Sequence, residues 1–121
     1  ISQKYTTNIQ ARKHTIVSDE PLSLEGQDEG MTPTELLGAS LASCTCITMK
    51  MYAERKAWDV TIDVVVDVDY DYKSTKATFT KYIAIIGAVS DADKERLLKI
   101  ASSCPIHKLL VQTSEINTVL V

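Results

Sequence analysis

Thr32-Pro33-Thr34-Glu35-Leu36-Leu37-Gly38-Ala39-Ser40-Leu41-Ala42-Ser43-Cys44-Thr45-Cys46 opens the segment that decides the fold. Three signals start a helix here together. Thr32 suits the N-cap, Pro33 suits the first helical position, and Glu35 stands at the capping-box spacing from Thr32. The helix is expected to run to about Arg55. Leu37, Leu41, Cys44, Thr48, Met51 and Tyr52 share one face, and Leu36, Ser40, Ile47 and Lys50 lie towards another. Gly38, Ala39, Ser40, Ala42 and Ser43 are small enough to let other backbones approach. A helix that is apolar or small on most sides predicts a central, buried position. Lys50, Glu54, Arg55 and Lys56 mark where it should emerge into solvent.

Outward from this helix, the chain alternates between strand and turn. Tyr5 to Ile9 and Lys13 to Ser18 have strand composition, and Asp19-Glu20-Pro21 ends the second, because Pro21 donates no hydrogen bond and restricts Glu20. Ser23 to Met31, with Gly26 and Gly30, reads as a surface loop. After the helix, Val60 to Tyr70 places Val60, Ile62, Val64, Val66, Val68 and Tyr70 against Thr61, Asp63, Val65, Asp67 and Asp69. That period of two predicts an antiparallel strand with one wet face, which also explains the acids without a metal. Asp71 to Lys76 turns, and Ala77 to Ala88 returns as the second arm of a hairpin. Ser90-Asp91-Ala92-Asp93 caps a further helix with Leu97, Leu98, Ile100 and Ala101 as its buried stripe. Cys104-Pro105 opens a short helix to about Val111, and Glu115 to Val121 is expected to close the chain as a strand.

The 121 residues suit a single domain with a core of its own, spanning 1–121. Apolar residues make up 45% and charged residues 24%, which is ordinary for a globular chain. The net charge is −3, and Lys and Arg are scattered without a basic stripe, so a nucleic-acid partner is not expected. No apolar run approaches the roughly 20 residues that span a bilayer, so no membrane partner is expected either. Ile1-Ser2-Gln3-Lys4-Tyr5 has neither a leader pattern nor an initiator Met, and the expectation is a start inside a slightly longer product. Three cysteines, an odd number without an export signal, point to a reducing cytoplasm, where paired cysteines tend to be catalytic or redox-sensing.

The cysteines carry the chemistry. Cys104 precedes Pro105 and is placed as an N-cap, where the helix dipole lowers a thiol's pKa; His107, three residues on, can add charge or a hydrogen bond. A packed, inert core cysteine accounts for the same position equally well. Cys44 sits mid-helix and needs a nearby cation to ionise. Cys46, two residues further, points to the opposite side of the helix, so the two cannot share a metal, and zinc on Cys44, Cys46, Cys104 and His107 is disfavoured. Cys46 reads as structural.

Several motifs resemble one family. Thr32-Pro33-Thr34-Glu35-Leu36-Leu37, Ala42-Ser43-Cys44-Thr45 and Met49-Lys50-Met51-Tyr52-Ala53 are similar to the central helix of the osmotically inducible protein C and organic hydroperoxide resistance (OsmC/Ohr) family. His14-Thr15-Ile16-Val17-Ser18-Asp19-Glu20-Pro21 and Ser103-Cys104-Pro105-Ile106-His107-Lys108-Leu109-Leu110 resemble its less characterised OsmC-like redox branch. The order of elements agrees from end to end. The resemblance implies an α+β fold, with antiparallel sheets around a long central helix and two chains intertwined as a homodimer. It implies a thiol peroxidase for organic hydroperoxides, with Cys44 attacking and Cys104 resolving. It also implies no metal, haem or flavin, and a dithiol reductant such as a lipoyl protein. A thiolate that attacks an O–O bond becomes a sulfenic acid and condenses with a second thiol. An apolar site favours fatty or aryl hydroperoxides, at about 0.8 kcal/mol per buried CH₂.

The activating residues depart from that family's hydroperoxide-resistance branch. Its glutamate, ten residues before the attacking cysteine, is replaced by Thr34, with Glu35 one step along. The strand position of its arginine holds His14, with Arg12 two residues before it, and residues two apart on a strand face the same way. Arg12 and Glu35 are therefore the candidate activators, and Leu41, Thr48 and His14 the candidate substrate contacts. Two other readings stay open. One is a sulfur carrier built on Cys104-Pro105-Ile106-His107. The other is a non-catalytic ligand-binding or redox-sensing dimer.

Overall fold

Proline at the second position of Thr32-Pro33 sets the start of the longest element, α1 (Pro33–Arg55). The Thr32 hydroxyl accepts the Glu35 N–H at 3.1 Å, satisfying one of the helix's orphan donors. Around α1 the computed structural model orders β1 (Thr7–Ala11), β2 (His14–Ser18), β3 (Val60–Asp71), β4 (Lys76–Gly87), α2 (Asp91–Ile100) and α3 (Pro105–Leu110). It describes residues 3–71 and 73–121; Tyr72, inside the predicted turn, and Ile1 and Ser2 lie outside the described residues. The architecture is α+β, with β1–β2 and β3–β4 each forming a two-stranded antiparallel sheet. The chain gathers into two units, 1–39 with 68–79 and 40–67 with 80–121.

In the first unit, β1 and β2 pair from Thr7 opposite Ser18 to Ala11 opposite His14. Arg12 and Lys13 make the two-residue turn, and Arg12 carries its left-handed φ of 55°. The loop 19–31 folds back on β2: the Ser18 hydroxyl and the Asp19 N–H both donate to the Met31 carbonyl, at 2.9 and 3.2 Å. The Asp19 carboxylate organises that loop, accepting from the Glu20 N–H at 2.8 Å, the Thr6 hydroxyl at 2.9 Å and the Glu29 N–H at 3.3 Å. Burial alone would raise this carboxyl's pKa; the hydrogen bonds from Glu20, Thr6, Glu29 and Gln27 outweigh it and hold the group below its ordinary value. Gly26 is required here, because a Cβ would overlap the Glu20 carbonyl.

The second unit has the apolar core: Met49, Ala53, Val60, Ile62, Leu97 and Ala101, with Trp58, Val64, Ile83 and Ile85 packed against them. Met49 and Ala53 come from α1, Val60 and Ile62 from the inward register of β3, Leu97 from α2 and Ala101 from the turn that follows it. The C-terminus of α1 closes by donating Trp58 N–H to Ala53 O at 2.9 Å and Ala57 N–H to Glu54 O at 3.0 Å. Ala57 takes the left-handed φ of 56° that this motif requires. Trp58 then folds edge-on against Tyr52, ring centres 5.9 Å apart.

The face of α1 that is fully buried is Gly38, Leu41, Thr45, Met49 and Ala53, at the i, i+4 spacing of residues that meet one core; Leu37, Ile47 and Met51 lie on one exposed stripe, and most of the other positions are half-buried. Three expectations are corrected. Leu97 of α2 and Ala101, its C-cap, are buried four residues apart, whereas Leu98 points away and is 46% exposed. Residues 113–121 make no strand: Ile116 is 87% and Leu120 98% exposed, with no ladder to pair into. Finally, Arg12 occupies a turn rather than a strand, so the argument that it shares a face with His14 does not hold.

Candidate functional site

Pro105 shapes the first half of the site. It disfavours helical backbone at the residue before it, so the chain leaves α2 through a short 3₁₀ turn, Ala101–Ser103, and becomes extended at Cys104 (φ −63°, ψ 130°). It then restarts as α3 with proline at the first position. Cys104 is thereby the N-cap of α3, and its sulfur accepts the His107 N–H at 3.4 Å. The sulfur is fully buried.

The second half comes from α1. It brings Cys44, half-buried, close enough to Cys104, sixty positions away in sequence, for the two thiols to shift each other's ionisation. The two thiols then differ in kind. Burial pushes the Cys44 thiol up, and its hydrogen bond to Cys104 adds to that; contacts from the Ile106 N–H and the Thr48 hydroxyl oppose it but do not reverse it. Burial would also raise Cys104, but hydrogen bonds from the Cys44 thiol, the His107 N–H, the Thr45 hydroxyl and the Ile106 N–H outweigh it and bring Cys104 below the ordinary thiol value. Of the two, Cys104 therefore gives up its proton more readily. Thr45 Oγ1 is fully buried with no partner at conventional hydrogen-bond geometry. It nonetheless lies near enough to the Cys104 sulfur to favour that sulfur's charged form.

A cation stands beside the pair. Lys81 Nζ donates to the Ala101 carbonyl at 2.7 Å and lies 2.9 Å from His107 Nδ1. An ammonium has no acceptor, so Nδ1 must be the unprotonated nitrogen and Nε2 carries the ring proton. Burial, then the Lys81 charge, lowers the His107 pKa and favours this neutral ring. Burial lowers Lys81 too, against the opposing pull of Cys104 and Cys44.

Of the residues nominated from sequence, Cys44, Cys104 and Thr48 come together here, and Leu41 is buried three residues before Cys44 on α1. Arg12, His14 and Glu35 belong to the first unit, where all three are exposed. Cys46 turns its sulfur to the Ile62 carbonyl at 3.3 Å, in keeping with a structural role. Lys81 and Thr45 were missed. The signal for Lys81 was present: it shares the half-buried register of β4 with Phe79, Ile83 and Ile85, a place where a lysine is unusual. Thr45 gave none, because nothing in a helix distinguishes a hydroxyl facing sulfur from one back-bonded to its own turn. Among the described residues, no three His, Cys, Asp or Glu side chains gather as metal ligands, and no helix is long and apolar enough to cross a membrane.

The comparisons with known proteins agree with this layout. A crystal structure from Psychrobacter arcticus 273-4, of a protein named for osmotic stress induction and detoxification response, is similar over 90% of this chain and 82% of its own, with a TM-score of 0.70 and 23% identity. An OsmC-like protein from Mycoplasma pneumoniae covers 92% of this chain and 89% of its own at TM-score 0.67 and 18% identity. The organic hydroperoxide resistance protein OhrB of Bacillus subtilis covers 86% of this chain and 87% of its own at TM-score 0.54 and 18% identity. At these identities the likeness is one of fold. No curated protein matches the chain. The sequence model of the OsmC-like proteins matches residues 26–119, which takes in both cysteines and every element from α1 onward, and the chain therefore belongs to the OsmC-like protein family.

Proposed function

We propose that the protein is a thiol-dependent peroxidase that reduces organic hydroperoxides through Cys44 and Cys104. The observation that carries this reading is the approach of two thiols sixty residues apart, close enough that each shifts the other's ionisation, Cys44 upward and Cys104 downward. Neighbours named for organic hydroperoxide resistance or as redox proteins support the same class. Cys44, the more exposed sulfur, meets the peroxide. It passes its proton to Cys104, and its thiolate attacks the terminal oxygen of ROOH. An S–O bond forms, the O–O bond breaks, and the alkoxide leaves as ROH with the proton stored on Cys104. The Cys104 thiolate then attacks the sulfenic sulfur, forming the disulfide and releasing hydroxide, which solvent protonates. A dithiol, lipoyl groups among the candidates, returns two electrons and two protons.

The exposed stripe Leu37, Ile47 and Met51 on α1 suits a homodimer, in which a second copy would cover it. Arg12, Glu35 and His14 belong to the same reading as residues that act once two chains are assembled. Reacting the reduced protein with one equivalent of cumene hydroperoxide tests the core of it. The intact mass should fall by two hydrogens, and a peptide map should show Cys44 joined to Cys104. Cys44→Ser should abolish turnover, and full turnover in that variant would sink the reading.

The ligand-binding alternative has one observation behind it. An apolar cleft of about 330 Å³ in the first unit is lined by Leu37, Val68, Tyr70, Ala77 and Phe79 among others. Retention of a fatty ligand by a protein whose mass is unchanged after peroxide would favour that alternative. The sulfur-carrier reading needs Cys104 presented to a partner, and its full burial speaks against that.

A further inference from the structure

We propose that Lys81 is the cation that sets both the charge and the redox poise of the Cys44–Cys104 pair, held in place by His107. The thiol pair gains its use from the peroxidase reading, on which this proposal rests, but the proposal itself concerns the thiols alone. Lys81 stands on the core-facing register of β4, where a half-buried ammonium needs compensation. Its two hydrogen-bond partners are Ala101 O and His107 Nδ1, three residues before and three residues after Cys104. The ammonium therefore brackets the turn that carries the sulfur. Both partners are neutral, and the charges that act on Lys81 are those of Cys104 and Cys44. Among the described residues, the titratable groups facing it are Cys44 on α1 and Cys104 and His107 around the start of α3.

Two consequences follow. A fixed positive charge favours the anionic, reduced pair and raises the fraction ready to attack. Forming the disulfide removes the negative charge and leaves the ammonium with neutral partners only. The oxidised state is disfavoured to the same degree, so the disulfide is more readily reduced by a dithiol. One residue thus promotes both the attack and the recovery of the thiols. His107 is a positioning residue in this arrangement, since it acts only through Lys81.

Lys81→Gln keeps a hydrogen-bond donor and removes the charge, and Lys81→Arg keeps the charge. In Lys81→Gln, iodoacetamide alkylation of the pair near neutral pH should slow about tenfold, its pH profile moving up by about one unit. Equilibration with dihydrolipoamide should shift about tenfold towards the protein disulfide, or about 30 mV for two electrons. Lys81→Arg should recover most of both. If Lys81→Gln keeps the wild-type profile and equilibrium, whatever its melting temperature, the proposal is overturned. Should the neutral variant fail to fold, lysine Cε NMR of the wild-type protein decides: Lys81 should titrate at lower pH in the disulfide form than in the reduced form, and identical titrations overturn the proposal. If the wild-type protein leaves cumene hydroperoxide untouched while Lys81→Gln shifts both thiol readouts, the proposal stands and the peroxidase reading falls. Peroxide turnover with unshifted readouts gives the reverse.

Discussion

The unit made of 40–67 and 80–121 is held by side chains, and the unit made of 1–39 and 68–79 by backbone and polar groups. Every fully buried apolar side chain among the described residues, from Leu41 and Met49 to Leu97 and Cys104, belongs to the former. The latter buries Ser18, Asp19, Gly26 and Gly38, which offer hydrogen bonds and close approach rather than apolar area. The difference teaches where thiol chemistry can be tuned. Fixed dipoles and a cation act strongly only where water is excluded. Cys44, Cys104, Thr45, Lys81 and His107 all sit in the apolar unit, whereas Arg12, His14 and Glu35 stand in solvent, where screening weakens a charge.

The strongest test of this contrast is a matched truncation. Met49→Ala should destabilise the protein by about 2–5 kcal/mol. Ile16→Ala, at a side chain 49% exposed on β2, should change stability by less than about 0.5 kcal/mol. Urea denaturation measures both, and equal losses would break the comparison.

Acid should separate the units next. His107 has a pKa below its ordinary 6.5, so the unfolded chain takes up that proton first; the stability it contributes is whole above 6.5 and falls as pH drops through the folded value. Asp19 behaves with the same sign from a lower start, its contribution being whole above 3.8 and lost below. Amide exchange, corrected for its intrinsic pH dependence, should therefore quicken in α3 below 6.5 and in the loop 19–31 only below 3.8. The opposite order would contradict the contrast.

Thr45→Val sharpens the comparison within the apolar unit. It removes a buried hydroxyl lacking a conventional partner, so stability should rise by about 1 kcal/mol while Cys104 ionises at higher pH, followed by thiolate absorbance. A loss of stability with an unchanged thiolate titration would show that the hydroxyl serves packing alone. The smallest effect is at the end of α1. Ala57→Gly relieves a left-handed residue at a cost in unfolded-chain entropy, for a net gain of about 0.5 kcal/mol by thermal melting.

The long helix and the hairpin were legible because their signals are local. Thr32, Pro33 and Glu35 announce a start, and strict alternation from Val60 to Tyr70 announces a strand. What failed depended on the rest of the chain. Ile116, Val119 and Leu120 have strand composition, but a strand needs a neighbouring edge, and composition cannot supply one. Leu98 is as apolar as Leu97, and only the direction of the core decides between them. The N-cap role of Cys104 was readable from Pro105; the proximity of Cys44 came only through family resemblance. Cations were sought on the strand before α1, by analogy, while the only mark of Lys81 was its place in the half-buried register of β4, which says nothing of the sulfurs it stands beside.

The Cys46 sulfur bonded to the Ile62 carbonyl has a consequence for the products of oxidation. Three thiols can close in three ways. A step of two residues turns Cys46 about 200° around the helix axis from Cys44, and the strand carbonyl then occupies its proton. If oxidation proceeds through Cys44 and Cys104 as proposed, the helix acts as a chemoselective mask: a spare thiol one amino acid removed from its neighbour is kept out of the exchange, and one isomer is expected, not a mixture.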